Sequence, residues 1–159
     1  MADQGGPRRD LAATLQPLVR ALVAAELPVL ARHGISMWGY IVLDALDGNP
    51  AHTQAALAQA IGADKTRIIA TLDDLQRSGF ISREPDPTDR RARLLSITTA
   101  GHQVRAAAQS EIQANENRVL ARLPGTDRQT FLRSAQALSA LPHEEIVGRR
   151  SDEFGSPQL

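Results

Sequence analysis

The sequence contains no cysteine and only five aromatic residues: three Phe, one Trp and one Tyr. Without thiols there is no disulfide, no thiolate metal site and no thiol-based oxidant sensing, and the composition suits a reducing cytosol. With so few rings, Ala, Leu, Val and Ile must build the core, which favours helices. Net charge is also missing, since 18 Lys and Arg stand against 18 Asp and Glu. A polyanionic partner must then be met by cations placed locally. Long uninterrupted apolar runs are lacking: LVRALVAAELPVLA is broken by Arg20, Glu26 and Pro28, so neither a membrane span nor a signal peptide is expected. Catalytic patterns are lacking too. His33, His52, His102 and His143 are scattered, HEEIVGR lacks the second histidine of a zincin, and no glycine-rich phosphate loop follows a strand. Asp73 and Asp74 project about 100° apart on a helix and form no facing acid–base pair. No enzymatic activity, metal or cofactor is expected.

What is present is a succession of helix signals. Residues 1–9 are polar and glycine-rich, and are expected to be disordered. Asp10 is placed to cap a helix in which Leu11, Leu15, Leu18 and Leu22 recur at helical spacing, and Pro28 predicts a kink or break near Ala25–Leu27. Gly34 stops that helix, Ser36 caps a second through about Leu46, and DGNPAH reads as a turn. Thr53 caps TQAALAQAIG, closed by Gly62; Asp64 caps DKTRIIATLDDLQRSG, closed by Gly79. Two short helices separated by Gly-Ala outline a helix-turn-helix.

FISRE and ARLLSI then predict a β-hairpin. A long helix restarts at Thr98 or Thr99, with Val104, Ala108, Ile112, Val119 and Leu123 as its apolar positions, and LPGT ends it. Thr126 with Gln129 suggests a capping box for a last helix carrying Phe131, Ala135, Leu138 and Leu141. Pro142 stops it, and 143–159 are expected to be a disordered tail. The predicted fold class is mainly α with a small β-hairpin. A winged helix-turn-helix domain at 35–98 sits between an N-terminal dimerisation helix at 10–34 and C-terminal dimerisation helices at 99–142.

The hairpin carries the unusual chemistry. In DPTDRRARLLSITTAG, residues 86–101, the Asp86-Pro87-Thr88-Asp89 stretch suits a type I turn, which lifts Arg90 and Arg91 to the hairpin edge. Asp86 and Asp89 are expected to support the tip, with Asp89 holding a neighbouring guanidinium by a bidentate bond. Arg93 and Arg83 lie further down the strands, placed for contact with a nucleic-acid backbone. A preset arginine on a thin protrusion suits a narrow, electronegative minor groove or its phosphates.

The order helix-turn-helix, two-stranded wing, long helices resembles the MarR family of bacterial transcriptional regulators. The resemblance is carried by TQAALAQAIGADKTRIIATLDDLQRSGFISREPDPTDRRARLLSITTAG, residues 53–101. These residues match the family's L-A-x-x-x-G helix, a recognition helix ending L-x-x-x-G, a D-x-x-D-R-R wing and a closing L-T-x-x-G, with Ile97 in place of the usual leucine. Gly39 stands where the family often has glutamine, and Ala70 where it often has arginine. The resemblance implies a homodimer with interlocking first and last helices, and a cytoplasmic, nucleoid-associated regulator released from DNA by a small ligand.

On the recognition helix itself, Ile68, Leu72 and Leu75 share one face and should be buried. Thr66, Arg67, Ala70, Asp73, Asp74 and Arg77 lie opposite. Thr66, Arg67 and Ala70 are expected to face base edges, with Lys65 directed to phosphates and Thr71 included in the DNA-binding set. Asp73 and Asp74 are expected to pair with Arg77 or with the wing. Leu11, Leu15, Leu18, Leu22, Ile112, Val119, Leu123, Phe131 and Leu138 form stripes expected to bury against a second copy, which would place two reading helices about 34 Å apart over a palindrome.

His33, Met37, Trp38, Tyr40 and Ile41 fall in the region that holds the effector pocket in the resembling family, and suggest a small aromatic or phenolic ligand. The function expected is a homodimeric DNA-binding regulator, a repressor relieved by such a ligand. The alternative is a winged-helix protein-interaction module without sequence-specific DNA binding.

Overall fold

The computed structural model describes residues 8–48 and 52–148. The elements follow in the order α1 (Leu11–Arg32), α2 (Met37–Gly48), β1 (His52–Thr53), α3 (Gln54–Ile61), α4 (Lys65–Arg77), β2 (Ile81–Pro85), β3 (Arg93–Ile97), α5 (Thr99–Leu120), α6 (Gly125–Ser139) and α7 (His143–Val147). One compact unit extends through Glu116 and a second begins at Asn117.

Local chemistry sets most of these boundaries. At the end of α1, Gly34 adopts φ +70°, its N–H bonds the Ala31 carbonyl, and the Ile35 N–H bonds the Leu30 carbonyl. The same paired closure recurs at Gly62 after α3 and at Gly79 after α4. Each is a Schellman ending, in which a left-handed glycine lets the chain turn back on the last open carbonyls. The starts of α2, α3 and α4 are capped by side chains: Ser36 Oγ accepts from Gly39 N, Thr53 Oγ1 from Ala56 N, and Asp64 Oδ1 from Arg67 N at 2.8 Å. Asp10, expected to cap α1, makes no side-chain cap bond; its carbonyl is engaged instead, by the Thr14 N–H.

The sheet has the order β1-β3-β2, with β2 and β3 antiparallel from Ile81 opposite Ile97 to Pro85 opposite Arg93. The two-residue β1 pairs with Leu94 and Leu95 and carries too little periodicity to be seen in sequence. Half of the DGNPAH turn, residues 49–51, falls outside the described residues; Asp47 and Gly48 belong to α2, and His52 to β1. The core gathers Val29, Leu30 and Ile35 with Val42, Leu43 and Leu46 of α2, Leu57 of α3, and Ile68, Leu72 and Leu75 of α4. Ile81, Leu95, Ala108 and Ile112 complete it.

The start of α5 is tied to the end of α4. Thr98 donates from its N–H to the Phe80 carbonyl and from its hydroxyl to the Gly79 carbonyl, and its Oγ1 accepts from Gly101 N. Gly101 lies so close to this junction that an added Cβ would meet the Phe80 oxygen at 2.1 Å.

Several expectations are corrected. Pro28 does not break α1, which runs unbroken through Pro17 and Pro28 to Arg32, because a helix can lose single hydrogen bonds while its other turns hold it. The helix is 22 residues long, and its mean hydropathy reaches 1.3 over an 18-residue window, long and apolar enough by that measure to cross a membrane. Thr126 is not a capping residue. α6 starts at Gly125, and the Asp127 and Arg128 N–H groups turn to the Pro124 carbonyl. Leu123 lies in the turn beyond α5. His143–Val147, placed in the disordered tail by sequence, form a short helix with Glu144 and Glu145 in the first turn, where carboxylates complement the helix dipole.

Candidate nucleic-acid interface

α4 separates its two faces as its sequence periodicity predicts. Ile68, Leu72 and Leu75 are buried, and Thr66, Arg67, Ala70, Asp73, Asp74 and Arg77 are exposed. Lys65 opens the helix. Thr71 is the exception in the expected DNA-facing set. It is buried, and its hydroxyl donates to the Arg67 carbonyl at 3.0 Å, a bond that a threonine forms readily within its own helix. A residue missed by sequence takes its place: Ile69 is 39% exposed and shares the outer arc with Thr66, Ala70 and Asp73. Its spacing from Ile68 and Leu72 turns it outward.

Asp73 and Asp74, expected to pair with Arg77 or with the wing, are both paired. Asp74 accepts from Arg77 at 2.8 Å, and Asp73 Oδ1 lies 2.7 Å from Arg83 Nη2 at the wing base. Arg83 is therefore not held ready for a nucleic-acid backbone. Its side chain is largely buried, and its charge is matched within the protein. The pair ties the recognition helix to β2.

The wing tip also differs from expectation. The hydrogen-bonded turn is Asp89-Arg90-Arg91-Ala92, closed by Ala92 N–H to the Asp89 carbonyl, and not Asp86–Asp89. Asp86 Oδ1 accepts from both the N–H and the hydroxyl of Thr88, at 2.8 and 2.7 Å. These Thr88 bonds hold the Asp86 carboxyl below its ordinary pKa. Asp89 Oδ1 accepts from Arg91 N–H at 2.9 Å, so its carboxylate organises the backbone and clasps no guanidinium. Asx turns of this kind are short-range and cheap in entropy, which is why they win over a bidentate side-chain pair. Among the described residues, Arg90, Arg91 and Arg93 are exposed and have no ion-pair partner. Two acids thus shape the loop through its amides and leave its guanidiniums available.

A cavity of about 760 Å³ lies between α3, the start of α4 and the wing, lined by Thr53, Gln54, Ala58, Ile68, Asp89, Arg91 and Arg93 among others. None of the five residues expected to bind an effector lines it. Nor do those five form one cluster. At about 100° per residue, Trp38 and Tyr40 project about 160° apart from α2. Trp38 meets α4, where the Arg67 guanidinium carbon lies 5.2 Å from its ring centroid. Tyr40 lies on the other side, in the field of Asp44, Arg105, Glu26 and Glu116, and burial, followed by Asp44, raises its pKa. His33 Nε2 lies 3.0 Å from Glu111 on α5, which also binds Arg32. Met37 packs against the core, and Ile41 is half-buried. Of the expected dimer residues, Ile112 belongs to the chain's own core. Leu11, Leu15, Val119, Leu123, Phe131 and Leu138 are exposed, and Leu18 and Leu22 half-buried.

A second polar cluster was not foreseen: Asp47 bridges His102 Nδ1 at 2.6 Å and Arg105 Nη2 at 2.5 Å, with Asp44 3.2 Å from Arg105. Its members are 61 and 55 residues apart in sequence, so only packing of α2 on α5 unites them.

A helix-turn-helix with an exposed, polar second helix and an arginine-tipped wing defines the winged helix-turn-helix class of regulators. A sequence profile described as MarR family matches residues 33–92. The transcriptional regulator HosA of Escherichia coli O111:H- is 30% identical over 93 residues, covering 58% of this chain and 69% of HosA. The transcriptional repressor CouR, in a structure bound to a 23-mer DNA duplex, is 27% identical with a TM-score of 0.70, over 83% of this chain and 93% of CouR. The PcaV regulator of Streptomyces coelicolor, in complex with its natural ligand, is 25% identical with a TM-score of 0.61, over 84% of this chain and 97% of PcaV. The chain belongs to the MarR family: it is a transcriptional regulator of the DNA-binding, winged helix-turn-helix type, and not an enzyme.

Proposed function

We propose that the protein is a cytoplasmic, nucleoid-associated homodimer that reads a palindromic operator, represses transcription from it, and is released by a small aromatic or phenolic ligand. The observation that carries the reading is the distribution of charge. The acids of α4 are paired within the protein and Asp86 and Asp89 of the wing tip bind backbone amides, while Arg67 on α4 and Arg90, Arg91 and Arg93 on the wing stay exposed. In this reading Arg67 contacts a guanine edge in the major groove, and Thr66 and Ala70 lie over neighbouring base edges. Ile69 covers a thymine methyl. The wing arginines, with Lys65, contact phosphate or the adjacent minor groove.

The dimer reading rests on apolar surface. Val19, Val23 and Leu27 add to the exposed face of α1, and Leu132 to that of α6. A second copy of the chain is the occupant that satisfies a regulator needing two reading helices. The solved structure of PcaV with its ligand supports ligand responsiveness. Here Tyr40 and His33, between α1, α2 and α5, are the proposed polar contacts, with Met37 and Ile41 beside them.

The test is selection of binding duplexes from a random library, with the molar mass measured by sedimentation. A palindrome with half-sites about one helical turn apart, bound by two protomers, is expected. A monomer, or no enrichment at low salt, refutes the reading and favours an interaction module. A run-off transcription assay then tests repression, and titration with aromatic acids tests release.

A further inference from the structure

The single tryptophan of the chain lies in α2, outside the reading helix, yet its ring faces the guanidinium of the residue best placed to read a base. The approach is built into the packing. Gly39, next to Trp38, is buried where α2 crosses α4, and a Cβ there would lie 3.3 Å from Leu75 Cδ2. The small residue lets α2 come close enough for Trp38 to reach across to α4. Arg67 is held from a second direction by Asp64, whose Oδ2 lies 3.8 Å from Arg67 Nε while its Oδ1 caps the helix. The side chain nevertheless remains 55% exposed, so its donors still reach outward.

Resting on the reading of Arg67 as a base contact, we infer that Trp38 is a specificity-determining positioning residue. Its ring face fixes the Arg67 guanidinium in a rotamer aimed at the major groove. A free arginine loses much rotamer freedom when it forms a bidentate bond, and a guanidinium already stacked has lost part of it before DNA arrives. The gain falls on the base that Arg67 reads and not on phosphate contacts. Trp38 therefore contributes to discrimination without touching DNA.

The test uses the full-length protein and a duplex obtained by random-library selection, with affinities measured for that duplex and for a scrambled one. Trp38→Leu is expected to lower the preference for the selected duplex about two- to fivefold per half-site, the scale of an exposed cation–π contact. Trp38→Phe, which keeps a π face, is expected to retain most of the preference. In an Arg67→Ala background, Trp38→Leu is expected to change nothing further. Equal losses on both duplexes, or an undiminished loss in the Arg67→Ala background, make Trp38 merely structural and overturn the inference. If Arg67→Ala lowers the preference and Trp38→Leu does not, the positioning role alone fails. If Arg67→Ala leaves the preference intact, the base-reading role fails and takes the positioning role with it. Because Trp38 is the only tryptophan, its fluorescence in DNA-free protein supplies a readout independent of Trp38 variants: Arg67→Ala is expected to shift it, and an unchanged spectrum refutes the contact.

Discussion

Replacing Gly101 with alanine should destabilise the fold, against the usual effect of that substitution within a helix. Gly101 is the third residue of α5, where alanine normally stabilises by about 1 kcal/mol. Here the new Cβ would stand 2.1 Å from the Phe80 oxygen and 2.8 Å from Ile97 Cγ1. An ordinary carbon–oxygen approach is about 3.3 Å, so α5 and the Phe80 peptide must separate by about 1.2 Å. That movement opposes the 3.0 Å bond from Thr98 N–H to the same carbonyl.

Overpacking of this kind costs about 1–3 kcal/mol, and weakening the bond adds about 1 kcal/mol. After the helix gain is subtracted, a net loss of about 1–3 kcal/mol remains, and because the carbonyl is rigid backbone the upper half of that range is expected. Urea unfolding followed by circular dichroism at fixed protomer concentration measures it. Gly48→Ala in α2, where nothing lies within 4 Å of the added carbon, is the control and should be neutral or stabilising. If Gly101→Ala matches that control, the close approach of α5 to the end of α4 is wrong.

Arg67→Ala should relax base preference by about 1–3 kcal/mol at one position of each half-site, whereas Arg90→Ala should weaken every duplex alike and reduce the salt slope by about one unit per protomer, as fluorescence anisotropy across a salt series would show. Equal effects of both variants on selected and random duplexes would sink that division of labour. Replacing individual thymines of the selected duplex by uracil should locate the one under Ile69; affinity should fall there for the parent protein but not for Ile69→Ala, and indifference at every thymine removes the methyl contact. Glu111 is held below its ordinary pKa by its hydrogen bond with Arg32 first and then with His33. A depressed carboxylate stabilises the folded state fully above its unfolded value near 4.5 and ceases to do so as pH falls through the lower folded value. The parent and Glu111→Gln should therefore converge in stability in acid and differ at neutral pH, and a difference that persists below that range contradicts the assignment.

The sequence by itself determined the elements whose causes are local. Ser36, Thr53, Asp64, Gly34, Gly62 and Gly79 act through hydrogen bonds spanning three to five residues, so their positions in the chain suffice to fix helix ends. The buried stripe of α4 was legible for the same reason, since its period depends on helix geometry alone. Tertiary structure decided what each charge does. Asp73 meets Arg83, Asp47 meets His102 and Arg105, and Arg67 meets Trp38 only after helices distant in sequence pack together. It also withdrew Thr71 and Ile112 into the interior. The physical reason is range. Backbone capping and helical periodicity are satisfied within a turn or two, whereas ion pairs and ring contacts act across space and take their partners from whichever surfaces the core brings together.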